Sequence, residues 1–93
     1  MFIGLLQIEL FIPESDSLKA KRFVLSSIKD RIKNKFNVSI AEVENNDKWQ
    51  RATLGVAMVA NEKNFVDQAL NKVLNFVDDY DQVEVVDHRI EIF

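Results

Sequence analysis

The spacing of apolar residues changes period four times along this chain, and that alternation constrains its fold more than any other feature. Phe2–Ile12 has the two-residue period of a strand. Its even positions Phe2, Leu6, Ile8, Leu10 and Ile12 are apolar, while the odd positions Ile3, Leu5, Gln7, Glu9 and Phe11 are mixed. Pro13 ends the strand, because proline donates no ladder hydrogen bond. Glu14–Ser17 reads as a turn, with Ser17 or Asp16 capping a helix. Leu18–Phe36 then follows the helical period, with Leu18, Leu25, Ile28, Ile32 and Phe36 on one stripe. Asn37–Glu44 and Gln50–Ala60 return to strand, separated by the turn cluster Asn45-Asn46-Asp47. Ala52, Leu54, Val56 and Met58 share one face of the second of these. Asn61 is placed to cap a second helix, Glu62–Tyr80, and Val83–Ile92 closes the chain as a strand.

The order βαββαβ predicts a single α+β domain over residues 1–93. The expected architecture is ferredoxin-like (split βαβ), a four-stranded antiparallel sheet with both helices on one face. Many functions sit on that fold, so it selects none of them.

Composition removes whole classes of chemistry. The chain has no cysteine and one histidine. Disulfides, thiolate metal sites, a cysteine nucleophile and multi-histidine metal sites are excluded. No apolar run reaches the ~18 residues of a membrane span, and no basic region precedes the first strand as in a signal peptide. A cytoplasmic protein is the expectation. His88 stands alone, and the acids Asp78, Asp79 and Asp81 match no calcium-loop spacing. Both glycines, Gly4 and Gly55, fall inside strands, where close packing or a bulge explains them better than a phosphate loop. No catalytic motif, metal site or cofactor motif is present. Strand carboxylates such as Glu9, Glu42 and Glu44 are too common a feature to specify an enzyme.

Charge is the informative property. The net charge is −3, yet residues 17–36 hold seven of the twelve basic residues and a single acid, Asp30. Lys19, Arg22, Lys29 and Lys33 fall within about 80° of one another on the first helix, a stripe along one edge of its apolar face. Arg31 and Lys35 lie on the other side. A solvated amphipathic helix has the same appearance, but cations at Lys19, Lys21 and Arg22 oppose the positive end of the helix dipole. They are suited to hold phosphate there. Lys21 projects into the apolar stripe, so either the helix starts beyond the sheet edge or Lys21 reaches a carboxylate such as Glu9, Glu42 or Glu91. Trp49 with Arg51 forms a stacking and phosphate pair or covers an open end of the core. Phe23, opposite the core stripe, is an exposed aromatic able to stack on a base or anchor a protein.

The sheet face away from the helices carries Ile3, Leu5, Gln7 and Glu9 from the first strand. The third adds Arg51, Thr53, Gly55, Ala57 and Val59. It lacks the aromatic platform with which an RRM reads bases. Leu5, Ala41, Val43, Ala57 and Val59 are instead candidates for packing against a second copy in a homodimer.

Three strings carry a family resemblance. They are Ser17-Leu18-Lys19 with Lys21-Arg22, then Phe36–Val43, then Asp47 with Trp49-Gln50-Arg51-Ala52 and Leu54-Gly55. Together they resemble the YlxP-like family, a bacterial family of domains of unknown function, over nearly the whole chain. Ala20 departs from the family pattern, in which an acid is common there. The resemblance implies a small ferredoxin-like domain. Its genes often lie among those for translation and ribosome maturation, which implies a ribosomal RNA or ribosomal-subunit partner. The expected function is therefore a non-enzymatic RNA- or ribosome-associated accessory protein without a small-molecule substrate. Its anion contacts are Lys19, Lys21, Arg22, Lys29 and Lys33, with Trp49 and Arg51. The alternative is a protein–protein module, a sheet-mediated homodimer whose basic helix docks on an acidic protein. Its interface residues are Leu5, Ala41, Val43, Ala57, Val59 and Phe23.

Overall fold

The computed structural model describes residues 1–93. Its elements are β1 (Phe2–Phe11), α1 (Leu18–Lys35), β2 (Ser39–Glu44), β3 (Arg51–Ala60), α2 (Lys63–Asp78) and β4 (Glu84–Ile92). The strands form one antiparallel sheet in the order β2-β3-β1-β4. This is the ferredoxin-like α+β arrangement that the periodicity predicts.

The two central strands pair over their full lengths, from Phe2 opposite Ala60 to Phe11 opposite Arg51. That register puts Leu6, Ile8 and Leu10 beside Val56, Leu54 and Ala52 on the helix side, all buried. Val24, Leu25, Ile28 and Ile32 of α1, and Val66, Leu70, Val73, Leu74 and Val77 of α2, complete one core. Gly4 is required where α2 crosses β1. A Cβ there would collide with Val66 and lie 2.8 Å from a Leu70 methyl, so the absent side chain sets how closely the helix approaches.

Helix ends follow local chemistry in one case and not the other. Ser17 caps α1, its Oγ accepting the Ala20 N–H at 3.0 Å. Asn61 does not cap α2. The N-cap is Glu62, and its side chain makes no capping bond. The second strand begins at Ser39 rather than Asn37, because the Val38 N–H turns back to the Phe36 carbonyl (3.1 Å). No helix is long and apolar enough to cross a membrane.

Candidate functional site

The site grows from the end of the sheet where β1 runs into α1 and β2 turns into β3. No acid occupies the first turn of α1. The helix itself therefore supplies no carboxylate to the positive end of its dipole. Lys19, Arg22 and Lys33 are exposed and Lys29 is half-buried. None of these four heads forms an ion pair or a hydrogen bond within the chain, so the acids of α2 do not neutralise them. Asp30 is exposed and likewise unpaired with them. On the other side of α1 the cations are engaged. Arg31 lies 5.5 Å from the Tyr80 ring and Lys35 5.5 Å from the Phe76 ring, cation–π contacts that tie α1 to the end of α2.

Lys21 does not belong to the anion-facing set. It is fully buried, and its Nζ donates to Glu42 Oε2 (2.8 Å), the Asn45 carbonyl (2.8 Å) and the Arg51 carbonyl (3.1 Å). The Asn46 carbonyl lies farther, at 3.4 Å. An ammonium has three N–H bonds, and these acceptors use them. Strand parity selects the carboxylate. Glu42 pairs with the core residue Leu54 and shares its face. Glu9 and Glu91 pair with Thr53 and Leu5 on the opposite face, out of reach of a helix-side lysine.

This bond set fixes the root of the β2–β3 loop. Asn45 sits in the left-handed region (φ 64°), which asparagine tolerates better than most residues. While its carbonyl accepts Lys21, its side-chain amide donates to Thr53 Oγ1 (2.9 Å). The Thr53 hydroxyl donates in turn to Glu9 Oε2 (2.7 Å), and Gln7 Nε2 donates to Glu9 Oε1 (3.2 Å). The loop is therefore held from both sides of the sheet. Its far end is held by Gln50, whose carbonyl accepts the Ile12 N–H (2.9 Å) and whose amide donates to the Pro13 carbonyl (3.1 Å). The loop and the start of α1 thus form one connected end of the molecule.

Trp49 stands on this anchored loop and is 57% exposed, so it does not close the core. Arg51 is exposed, with its guanidinium 5.7 Å from the Phe11 ring on the outer sheet face. Phe11 is an aromatic the sequence reading leaves out of that face. Its odd position in β1 places it there, and the pairing of Phe11 with Arg51 brings the two together. Phe23 is 76% exposed. With Lys19 it lines a cleft of about 430 Å³ between the start of α1 and the α2–β4 turn. It is therefore separate from Leu5, Ala41, Val43, Ala57 and Val59, which the structure does bring together on the outer face of the sheet. Phe23 is thus open to a partner from the helix side, beside Lys19, and not through the sheet face.

Of the remaining titratable groups, Glu9, Asp87, His88 and Arg89 line one small cleft on the sheet. His88 is exposed, as are Asp78, Asp79 and Asp81. No three histidines, cysteines or acids are grouped to hold a metal ion. Every buried side-chain nitrogen and oxygen has a hydrogen-bond partner.

The strings that meet in space at Lys21 are the same ones that carry the family resemblance. Residues 3–90 match the family described as "Protein of unknown function (DUF503)". The chain belongs to that family. It is 41% identical over 91 residues to "Uncharacterized protein YlxP" of Bacillus subtilis (strain 168), an alignment covering 98% of this chain and 99% of that protein. The YlxP-like resemblance read from the residues is thus borne out. For a DUF503 chain the geometry gives those strings a physical meaning. The helix string supplies Ser17 and Lys21, and the strand strings supply Glu42 and the Arg51 carbonyl that Lys21 holds.

Proposed function

We propose that this chain is a cytoplasmic, non-enzymatic accessory protein that binds RNA, as free RNA or within a ribosomal particle, through one edge of α1. The observation that carries the reading is the unpaired state of Lys19, Arg22, Lys29 and Lys33 in a protein of net charge −3. An acidic chain that leaves four cations along one helix edge without partners presents a local anion-binding surface. Exposed Trp49 and the Phe11–Arg51 pair at the same end of the sheet supply groups that stack on an unpaired base. Lysine and arginine contacts to phosphate give affinity without sequence specificity.

The test is sedimentation with ribosomal subunits at low and moderate salt, with and without ribonuclease. Four phosphate contacts predict a slope of log K against log salt of about −3 to −4. Lys19→Glu with Arg22→Glu and Lys33→Glu is expected to abolish co-migration. Lys21 is left untouched, because its substitution tests the fold. Co-migration that survives the triple charge reversal refutes the assignment. Binding that is lost on charge reversal but insensitive to ribonuclease assigns α1 to an acidic protein instead.

A further inference from the structure

We propose that the outer face of the sheet is the interface of a homodimer. Leu5, Val43 and Val59 are 43%, 53% and 62% exposed on that face. Ile3 and Phe93, whose backbones exchange hydrogen bonds of 2.8 and 2.9 Å, extend the same apolar area. This is a contiguous patch on a regular sheet rather than scattered exposure, and such patches mark interaction sites.

The shape of the patch selects a second copy as the occupant. Small residues Ala41, Gly55 and Ala57, side by side on adjacent strands, floor a depression of about 370 Å³ with Leu5 at its margin. Gly55 leaves room for Val43, since a Cβ at position 55 would come within 3.0 Å of a Val43 methyl. A projecting residue and a matching hollow therefore lie next to each other on one surface. A two-fold axis in the plane of the face inserts each Leu5 into the other copy's hollow, the self-complementary contact that an isologous dimer requires. Two charges beside the hollow are already matched. Arg89 pairs with Glu91 at 3.1 Å and donates to Gln7 at 3.4 Å, so covering them buries no lone charge.

Area sets the strength. At about 3.3 Å per residue and about 4.8 Å between strands, the face measures about 550 Å². Full overlap of two faces covers about 1,100 Å², just above the ~1,000 Å² needed for a specific interface. The dimer is accordingly reversible and concentration-dependent. The helices lie on its outside, leaving both α1 edges free. Phosphate contact by α1 and dimerisation therefore fail or survive independently, whereas full overlap covers the Phe11–Arg51 pair and leaves its stacking to the monomer.

Sedimentation equilibrium of the native protein from about 5 to about 500 µM, spanning micromolar affinities, tests the proposal. The expected mass rises toward twice 10.8 kDa. Leu5→Lys with Val43→Lys is expected to hold it at the monomer value with an unchanged circular-dichroism spectrum. Phe65→Lys, on exposed α2 surface, should leave the dimer intact. In case the double variant does not fold, a dilution series of the native protein followed by methyl NMR gives the same answer. Leu5, Val43 and Val59 should shift with concentration while Val66 and Val73 stay fixed. A monomer at every concentration overturns the proposal and assigns the face to a different partner. A dimer that persists in the folded double variant, or whose shifts map elsewhere, also overturns it.

Discussion

Lys19 and Lys21 stand two residues apart on α1, yet one is solvated and unpaired while the other is fully buried in a ring of oxygens. The difference is angular. Two residues turn a helix by about 200°, which moves a side chain from the water edge to the sheet. A buried ammonium is tolerated only if its charge and its three N–H bonds are all met, and Glu42 with the Asn45 and Arg51 carbonyls meets them. An exposed ammonium at a helix start needs no partner in the chain, and opposes the dipole only weakly. The same residue type thus builds the fold at one position and remains available to a ligand at the other.

The largest expected effect breaks this comparison outright if it is absent. Lys21→Met should lower unfolding stability by about 3–5 kcal/mol, since it strands a half-buried carboxylate and two carbonyls. Lys19→Met should change it by less than about 0.5 kcal/mol. Equal urea midpoints for the two variants would show that Lys21 is not the buried member. Next in size is Glu42→Gln, expected to cost about 1.5–3 kcal/mol in the native background. In a Lys21→Met background it should cost much less, with a coupling of about 1–2 kcal/mol in a double-mutant cycle. Simple additivity would mean that the two side chains do not act as a pair.

Smaller effects sharpen the contrast at the helix start. Ser17→Ala removes the cap on the Ala20 N–H, and a loss of about 1 kcal/mol is expected in thermal or urea melts. Smallest, and opposite in sign, is charge reversal at the exposed cations. Lys19→Glu and Arg22→Glu place acids at the positive end of the dipole, so each should stabilise the fold by about 0.3–1 kcal/mol at low ionic strength. The same changes should weaken RNA binding. Loss of both stability and binding would show that these side chains hold the fold together.

Particular residues show how far local pattern reaches. The period-two and period-3.6 stretches place every strand and helix within two residues of its observed ends, because alternation is a property of neighbouring residues. Strand parity assigns Gln7, Glu9, Thr53 and Gly55 to the outer face, as observed. That same parity contained the answer for Lys21. Glu9 shares a face with Thr53, so it was never available to a helix-side lysine. Phe11 was likewise readable as outward-facing. Its meeting with Arg51 depended on which residue of β3 lies opposite, a matter of register between strands forty residues apart.

The sequence by itself determined the element order, the core faces and the cationic edge of α1. Each follows from spacings of a few residues. Only the tertiary structure decided that Ser17 rather than Asp16 caps α1, that Lys21 closes the β2–β3 loop while Lys19 stays free, and that Trp49 stands clear of the core. Those outcomes depend on strand register and on how α1 sits over β2, where residues distant in the chain compete for the same buried charge.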